Sequence, residues 1–346
     1  MNIGYITGNW PSWSETFIAQ ELTLLRAALP IVPIAVRGRA GQLDPDFAYL
    51  EEPVAEFATG RGRQVPLPKG VRTRVSVHKH RGALERLAAI VAEREIRHLH
   101  AAFGDLPGLL AATVARKLGI SWSVSVHAAD VHASQFAESA IYKGASAILA
   151  CNERVRAALP GYPVEVIPHG LCLEDWPFVA REPGECLRLL FVGRLVEKKD
   201  PLMAAEIAKA ASAQLTVIGD GPLRASMQGV ELRGAQTREQ VRAAMAEANA
   251  LIVTSRELAD DAEGIPNVIV EAMASGLPVV SRISGGIGEV LNSQTGWPVQ
   301  DDDFLCELRR LDAVRPLAAR AMVESRFDAH TLIQRRIARL ACFISP

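Results

Sequence analysis

The sequence predicts an α/β protein with two doubly wound domains, each built on a parallel sheet. Short apolar runs typical of buried strands alternate with helical patterns of ten or more residues, which is the pattern of repeated βαβ units. At 346 residues the chain is too long for one typical hydrophobic core. Pro177, Pro183 and Gly184 interrupt the alternation, so a domain boundary is predicted between about residues 170 and 184.

The first domain is predicted to span residues 1–172. Its strands are the apolar runs NIGYIT, IVPIAV, IRHLHAAF, SWSVSV, ASAILAC and VEVIPHG. After the first strand, Ser14 is predicted to cap a helix that opens with Glu15 and Thr16, because a serine oxygen can accept a hydrogen bond from an N–H group at a helix start. The N–H groups at this helix start could approach a phosphate or a second substrate. The alternative is a helix cap with a purely structural role.

His127 follows the strand SWSVSV and opens the stretch HAADVH. A histidine in this position can donate or accept a hydrogen bond near neutral pH. The alternative is a structural histidine, an interpretation that we prefer for His98, His100 and His132. Asp130 is predicted to cap the turn that follows.

The second domain is predicted over residues 173–328 and opens with the strand LRLLFVG. Arg194 and Lys199 follow the carboxyl end of this strand, where α/β sheets bind ligands and where two cations can reach a pyrophosphate. Either cation alone would more often be solvated. The turn GDGP, from Gly219, is predicted to be structural. No G-x-G-x-x-G follows the first strand, which argues against an NAD-linked dehydrogenase.

Two carboxylates, Glu263 and Glu271, flank a predicted helix start in the stretch EGIPNVIVEAMASGLP. The helix is predicted to end near Gly276. Its N–H groups and dipole favour an anion, and Glu271, about two turns from Glu263, could reach a second part of the ligand such as a ribose. The alternative is a pair of solvated glutamates. The segment predicted to surround the phosphate consists of Gly264, Ile265, Pro266 and Asn267.

The run EGIPNVIVEAMASGLPVVS, followed by GGIGEV, resembles the E-x7-E donor-site signature of family 4 glycosyltransferases. These enzymes have the GT-B fold, two Rossmann-like domains facing each other across a cleft. HAADVH resembles the H-x-x-D setting of the family, and VIPHG resembles the stretch that precedes its second domain. SETFI is similar to the first helix of a subgroup associated with exopolysaccharide assembly.

The resemblance covers most of the chain and implies a retaining transferase that moves a sugar from a nucleotide diphosphate sugar, most often UDP- or GDP-linked, to a glycan or lipid-linked acceptor. It also implies that the last segment, residues 329–346, is a helix that crosses back to the first domain. The resemblance implies that Arg194 and Lys199 bind the diphosphate, that Glu263 binds the sugar and the nearby phosphate, and that Glu271 binds the ribose. It implies that His127 contacts the sugar from the opposite wall of the cleft. Near the nucleotide it places Gly193, Leu232 and Gly234.

The family usually has glycine after the lysine, and here Asp200 takes that place, which leaves the choice between Lys198 and Lys199 open. No Asp-x-Asp motif lies at a strand end, and the cation pair can stabilise the leaving diphosphate as a metal does elsewhere. We therefore expect no metal and no cofactor. The alternatives are another GT-B enzyme, such as an epimerase or a phosphorylase, and a catalytically inactive nucleotide-binding module.

No apolar run is as long as a membrane-spanning helix, and the first residues lack the pattern of a signal peptide, so a cytoplasmic protein is expected. The segment Arg61 to Arg81 contains seven Lys or Arg residues and no acid. It predicts peripheral contact with the inner face of a membrane, or else a solvated loop; nucleic acid is disfavoured because the segment has no aromatic residue for stacking. The five cysteines have no CxxC spacing, which argues against disulfides and zinc, and most are expected to be buried.

Overall fold

The computed structural model describes residues 1–11, 16–54, 68–133, 135–181, 186–258, 263–312 and 314–344. The chain divides into two compact units. Unit 1 comprises Met1–Gly170 together with Thr331–Pro346, and unit 2 comprises Leu171–His330. The predicted cap residues Ser14 and Glu15, and the first part of the basic segment, lie outside the described residues.

In its described residues, unit 1 contains a parallel sheet of seven strands in the order β3-β2-β1-β4-β5-β6-β7. The central strands β1 and β5 are largely buried, as expected for a sheet covered on both faces, although every second residue of β5 is serine. The first strand lies inside the sheet and the order reverses beside it, as in doubly wound folds. The strands are β1 (Asn2–Trp10), β2 (Ile31–Gly38), β3 (Ala48–Tyr49), β4 (Ile96–Ala101), β5 (Ser121–Val126), β6 (Ala147–Ala150) and β7 (Val164–Val166).

The helices of unit 1 connect these strands. The helix α2 lies in a polar region for which the sequence predicts no regular structure. It carries most of the described part of the basic segment, so these residues do not form the loop that was the alternative prediction. Its signal was weak because α2 buries only Thr73. The helices are α1 (Thr16–Arg26), α2 (Lys69–Lys79), α3 (Arg81–Glu93), α4 (Leu106–Leu118), α5 (Ala128–His132), α6 (Glu138–Ile141) and α7 (Glu153–Ala157).

Unit 2 repeats the same plan. Within the described ranges its sheet has six parallel strands in the order β10-β9-β8-β11-β12-β13, so β8 corresponds to β1 of unit 1. The strands are β8 (Arg188–Val192), β9 (Gln214–Ile218), β10 (Glu231–Gly234), β11 (Ala250–Val253), β12 (Val279–Arg282) and β13 (Trp297–Val299). The helices are α8 (Pro201–Ala210), α9 (Arg238–Glu247), α10 (Asn267–Ala274), α11 (Phe304–Leu308) and α12 (Arg315–Arg326).

The last helix, α13 (Ala329–Ala341), brings the chain back to unit 1. Its buried Arg336 forms an ion pair with Glu21 of α1 at 3.2 Å and donates a hydrogen bond to the Ser125 hydroxyl of β5 at 2.8 Å. Leu340 of the same helix is fully buried in the apolar core around Ile3 and Leu25. Unit 1 is therefore assembled from two separate parts of the sequence.

Two parallel, doubly wound sheets confirm the predicted fold class. The prediction that most cysteines are buried is wrong: all five are free thiols, two of them half-buried and three exposed. Among the described residues, no helix combines the length and the apolar character that crossing a membrane requires.

Candidate functional site

Most of the predicted site residues of unit 2 lie in segments that follow β8 and β11, the two strands at which the strand order reverses. The carboxyl ends of strands at such a switch point form the usual ligand crevice of an open α/β sheet. Arg194 and Lys199 follow β8, whereas Glu263 and the helix that carries Glu271 follow β11. The topology alone therefore brings four of the predicted residues to one edge of the sheet.

The backbone of the loop after β8 packs directly against the backbone of the GDGP turn. A Cβ atom at Gly219 would lie 1.9 Å from the carbonyl oxygen of Gly193, and one at Gly221 would lie 2.5 Å from that of Leu195. The Leu195 N–H donates to the Asp220 carbonyl at 2.9 Å, and the Asp220 carboxylate accepts the N–H of Gly221 at 2.8 Å. The turn is structural, as predicted, and it supports the exposed Arg194.

Lys199 ends a short 3-10 turn, Glu197–Lys199, and its ammonium forms an ion pair with Glu263. The Nζ–Oε2 distance is 2.8 Å, and both side chains are largely buried. Burial lowers the pKa of Lys199 from its ordinary value, while the Glu263 carboxylate acts in the opposite direction. Of the two lysines between which the sequence did not decide, the structure pairs Lys199 with a predicted acid.

The turn that carries Lys199 is held from a neighbouring strand. The hydroxyl of Thr254, which follows β11, lies 2.9 Å from the Lys199 carbonyl oxygen and 2.8 Å from the Asp200 carbonyl oxygen, to which it donates. A Cβ atom at Gly193 would lie 3.9 Å from Cδ of Lys199, so the lysine stem runs beside the end of β8.

Asp200 adopts the left-handed backbone conformation, with φ +47°, in the place where the resemblance leads one to expect glycine. This conformation is unfavourable for a residue with a side chain. The Asp200 carboxylate lies 3.3 Å from the Arg282 guanidinium, which also donates to the Thr254 carbonyl at 2.8 Å and pairs with Asp302. An ion pair thus accompanies the strained residue.

The backbone of Glu263 is held by the glycine pair that follows β12. The Gly286 N–H donates to the Glu263 carbonyl at 3.0 Å. Gly285 has φ +56°, and a Cβ atom there would lie 2.0 Å from the same carbonyl oxygen. The glycine pair therefore serves the position of Glu263.

Glu271 lies on α10, which has Pro266 as its N-cap and stops before Gly276, at φ +72°. These limits confirm the predicted helix. At such a helix start the N–H groups of Asn267 and Val268 have no carbonyl partner within the helix, whereas the Ile269 N–H donates to the Pro266 carbonyl at 3.0 Å. Burial raises the pKa of Glu271 to about 7, and the positive charge of Arg238 only partly opposes this. A carboxyl group with this pKa changes its charge near neutral pH.

The remaining predicted residues of unit 2 have supporting positions. Gly264 and Ile265 are half-buried between Glu263 and α10, and Ile265 packs on the apolar core of the unit. In β10, Leu232 packs on a second core, and the Gly234 carbonyl accepts the N–H of Gly219 at 2.8 Å.

In unit 1, His127 directly follows β5 and contacts a second histidine. His127 Nε2 lies 2.9 Å from His169 Nε2, and its Nδ1 lies 3.3 Å from Oδ2 of Asp130. The same carboxylate oxygen accepts the backbone N–H of His127 at 2.8 Å, which confirms the predicted cap. The rings of Phe17 and Phe103 lie 5.7 and 4.8 Å from that of His127.

The structural interpretation of His98 and His100 agrees with their surroundings. Both are buried and bonded to serine hydroxyls, and burial lowers the pKa of His98 to about 3 and that of His100 well below its usual range. Thr16, described as the first residue of α1, is exposed. Within the described ranges, no group of three or more His, Cys, Asp or Glu side chains could hold a metal ion.

Sequence reasoning missed three residues around the site: Thr254 contacts Lys199, His169 contacts His127, and Arg282 contacts the neighbouring Asp200. Arg282 and Thr254 end or follow apolar strands of unit 2, the position that singled out Arg194, so the same rule could have found them. His169 was noted only as part of the stretch VIPHG, and nothing in the sequence pairs it with His127.

Residues 186–311 match the family model described as "Glycosyl transferases group 1". The amylovoran biosynthesis glycosyltransferase AmsK of Erwinia amylovora is 36% identical over 170 residues, 42% of this chain and 42% of that protein. The "Putative colanic acid biosynthesis glycosyltransferase WcaL" of Salmonella typhimurium is 32% identical over 169 residues, 44% of this chain and 39% of that protein. The matched segments span less than half the length of both relatives.

Among solved structures, that of Anabaena HepE in complex with UDP and glucose has a TM-score of 0.70. The comparison covers 98% of this chain and 99% of that chain at 15% sequence identity. At this identity the likeness is one of fold, and it confirms the GT-B architecture.

Proposed function

We propose that this protein transfers a sugar from a nucleotide diphosphate sugar to a glycan or lipid-linked acceptor in cell-surface polysaccharide biosynthesis. The match of residues 186–311 to the model of the group 1 glycosyl transferases supports this activity. The named relatives act in amylovoran and, as a putative assignment, colanic acid biosynthesis, which supports this class of product. By the family resemblance, the transfer retains the anomeric configuration.

One observation carries the proposal: the ion pair of Lys199 with Glu263, beside the start of α10. A buried ammonium needs a carboxylate partner while no ligand is bound. A bound diphosphate would offer Lys199 a second anionic partner, and Glu263 could then accept hydrogen bonds from sugar hydroxyls. One contact thus connects the two halves of the donor.

The leaving diphosphate gains negative charge as its bond to the sugar breaks. Arg194 and Lys199, together with the N–H groups at the start of α10, are positive groups that stabilise such charge without reorganising. We propose that they make a metal unnecessary. Glu271, about two turns along α10 from its start, would accept hydrogen bonds from the ribose hydroxyls.

His127 would contact the donor sugar from unit 1, as the resemblance implies, and Thr16 would face the acceptor. No nucleophilic carboxylate is proposed for a covalent intermediate. The acceptor hydroxyl would attack on the face that the diphosphate leaves, which keeps the anomeric configuration.

The first experiment measures thermal shifts with UDP, GDP, ADP and dTDP sugars, because a ligand that binds only the folded protein stabilises it by RT ln(1 + [L]/Kd). The bound donor is then incubated with and without glycan acceptors, and product anomers are read by NMR. Transfer with retention is expected. Turnover without acceptor would indicate an epimerase, dependence on inorganic phosphate a phosphorylase, and binding without transfer an inactive module.

The role of Lys199 is tested with Lys199→Met, with the exposed Lys209→Met on α8 as the control. Loss of one charged hydrogen bond to phosphate should weaken binding of the nucleoside diphosphate roughly ten- to a hundredfold. Binding of the nucleoside alone, which lacks phosphates, should change little. Equal losses for both ligands would contradict the assignment of Lys199 to the diphosphate.

We also propose that α2 contacts an anionic membrane surface, where a lipid-linked acceptor would lie. Lys69, Arg74 and Lys79 are exposed on this helix together with Val71 and Val75, whose side chains are 45% and 54% exposed. Basic residues near an anionic surface contribute about 1 kcal/mol each, and exposed apolar side chains can insert at the interface.

Flotation with vesicles that contain or lack anionic lipid tests this contact. Wild-type protein should float with anionic vesicles, and Arg74→Glu with Lys79→Glu should abolish flotation. The control reverses two other exposed charges of unit 1, Lys117→Glu with Lys143→Glu. Equal partitioning into both kinds of vesicle would remove the membrane proposal.

A further inference from the structure

The side chains of His127 and His169 face each other through the same ring nitrogen. Their Nε2 atoms lie 2.9 Å apart, and the two ring planes differ by only 7°. A hydrogen bond at this distance requires a proton on one nitrogen and a lone pair on the other. The protonation states of the two Nε2 atoms are therefore coupled.

His169 is the residue whose tautomer is constrained by its surroundings. Burial, the neighbouring His127 and the charge of Arg336 hold the pKa of His169 well below its usual range, so the ring is neutral and carries one proton. Its Nδ1 is buried and has no hydrogen-bond partner among the described residues. A buried N–H group without an acceptor is rarer and more costly than an unused lone pair. The proton therefore belongs on Nε2, which points at His127.

The contact of His127 Nδ1 is consistent with a hydrogen bond donated by His169 Nε2 to His127 Nε2. If His169 donates, His127 accepts at Nε2, and its own proton must lie on Nδ1. Nδ1 faces Oδ2 of Asp130 at 3.3 Å, an acceptor that is itself buried and oriented by the His127 backbone N–H. Phe17 packs on His169, with ring centroids 4.1 Å apart, and so restricts rotation of the donor ring.

We infer that His169 is a positioning residue that donates from Nε2 to His127 and thereby keeps His127 in its Nδ1–H tautomer, with a lone pair at Nε2. The inference rests on the proposed function in one respect, namely that His127 meets the donor sugar. A sugar hydroxyl would then bind His127 by donating to Nε2, in exchange for the His169 N–H. Recognition would require a hydroxyl donor at that sugar position.

The tautomer can be read without activity. Full-length protein labelled with ¹⁵N-histidine is examined ligand-free at pH 8 by long-range ¹H–¹⁵N correlation, and signals are assigned by their loss in His127→Gln and His169→Gln. We expect a protonated Nδ1 and an unprotonated Nε2 for His127, and the reverse for His169. A protonated Nε2 on His127 would overturn the inference.

The consequence for catalysis is tested with a pair of variants at position 169. His169→Leu removes the donor and should lower kcat/KM for the sugar nucleotide about tenfold, whereas His169→Gln retains an N–H donor at a similar reach and should stay within about threefold. Equal losses in both variants, with unchanged melting temperatures, would show that packing alone matters and would refute the positioning role. If wild-type protein turns over no donor, the proposed function fails, while the spectrum still decides the tautomer.

Discussion

Replacing Glu271 by glutamine should stabilise the ligand-free protein at pH 8 and leave it little changed near pH 4.5. Burial raises the pKa of Glu271 from 4.5 to about 7. Between these values the folded protein binds a proton that the unfolded chain has released, so the free energy of unfolding falls as pH rises through this window. Glutamine has no proton to lose, and the variant escapes the fall.

The magnitude follows from the two pKa values. Each pH unit between about 4.5 and 7 contributes about 1.4 kcal/mol, so the full effect is at most about 3.5 kcal/mol. For a unit of this size, 1 kcal/mol corresponds to roughly 2–4 °C in melting temperature, so the variant should gain at most about 7–14 °C over wild type at pH 8.

The assay is thermal unfolding of both proteins from pH 4.5 to pH 8.5, with the exposed Glu206→Gln on α8 as the control. The difference between Glu271→Gln and wild type should grow up to about pH 7 and then level off, while the control shows no such trend. The same variant should bind the sugar nucleotide more weakly, because the ribose loses its ionised acceptor. A pH-independent difference would refute the reasoning.

Two further changes test the loops around the site. Gly285→Ala places a Cβ atom 2.0 Å from the Glu263 carbonyl oxygen at a left-handed φ, and should cost about 2–4 kcal/mol of stability and most donor binding, both read by thermal shift. Arg282→Met should destabilise by about 1–3 kcal/mol, and Asp200→Gly should restore about 1 kcal/mol of that loss by relieving strain and removing the unpaired acid, as measured by a double-mutant cycle in urea.

Matched controls separate these effects from general damage. In the same glycine-rich loop, a Cβ atom at Gly288 would lie 3.2 Å from the Cγ2 methyl of the exposed Ile283 side chain and, outside its own turn and chain neighbours, within 4 Å of no other described residue, so Gly288→Ala should be well tolerated. If it costs as much as Gly285→Ala, the contact with Glu263 is not the cause. Additive effects of Arg282→Met and Asp200→Gly would show that the two residues are not coupled.

The strand and helix alternation was readable from the sequence because many strands of the two parallel sheets are short runs rich in apolar residues, such as β2, β6, β8 and β11. The helix α10 was readable in detail, since Pro266 and Gly276 have backbone preferences that act locally. The choice between Lys198 and Lys199 was not, because it depends on the ion pair of Lys199 with Glu263, more than sixty residues away. Long-range contacts leave no local pattern.

Two other differences have the same kind of cause. The helix α2 has too few buried residues to show an apolar face, so its sequence reads like a loop. His169 was visible as a residue but not as a partner of His127, because the pairing depends on how β5 and the segment after β7 come together. The prediction for the cysteines failed because the usual burial of cysteine is a statistical preference of the residue type, and it does not predict single positions such as the exposed Cys186 and Cys342.

The return of α13 to unit 1 has a consequence for biogenesis. During synthesis unit 2 emerges as one uninterrupted stretch, whereas unit 1 cannot form fully until α13 has emerged, and until then Glu21 lacks its ion-pair partner Arg336. We therefore expect a chain that stops at residue 330 to retain a cooperatively folding second half, while its first half is prone to proteolysis.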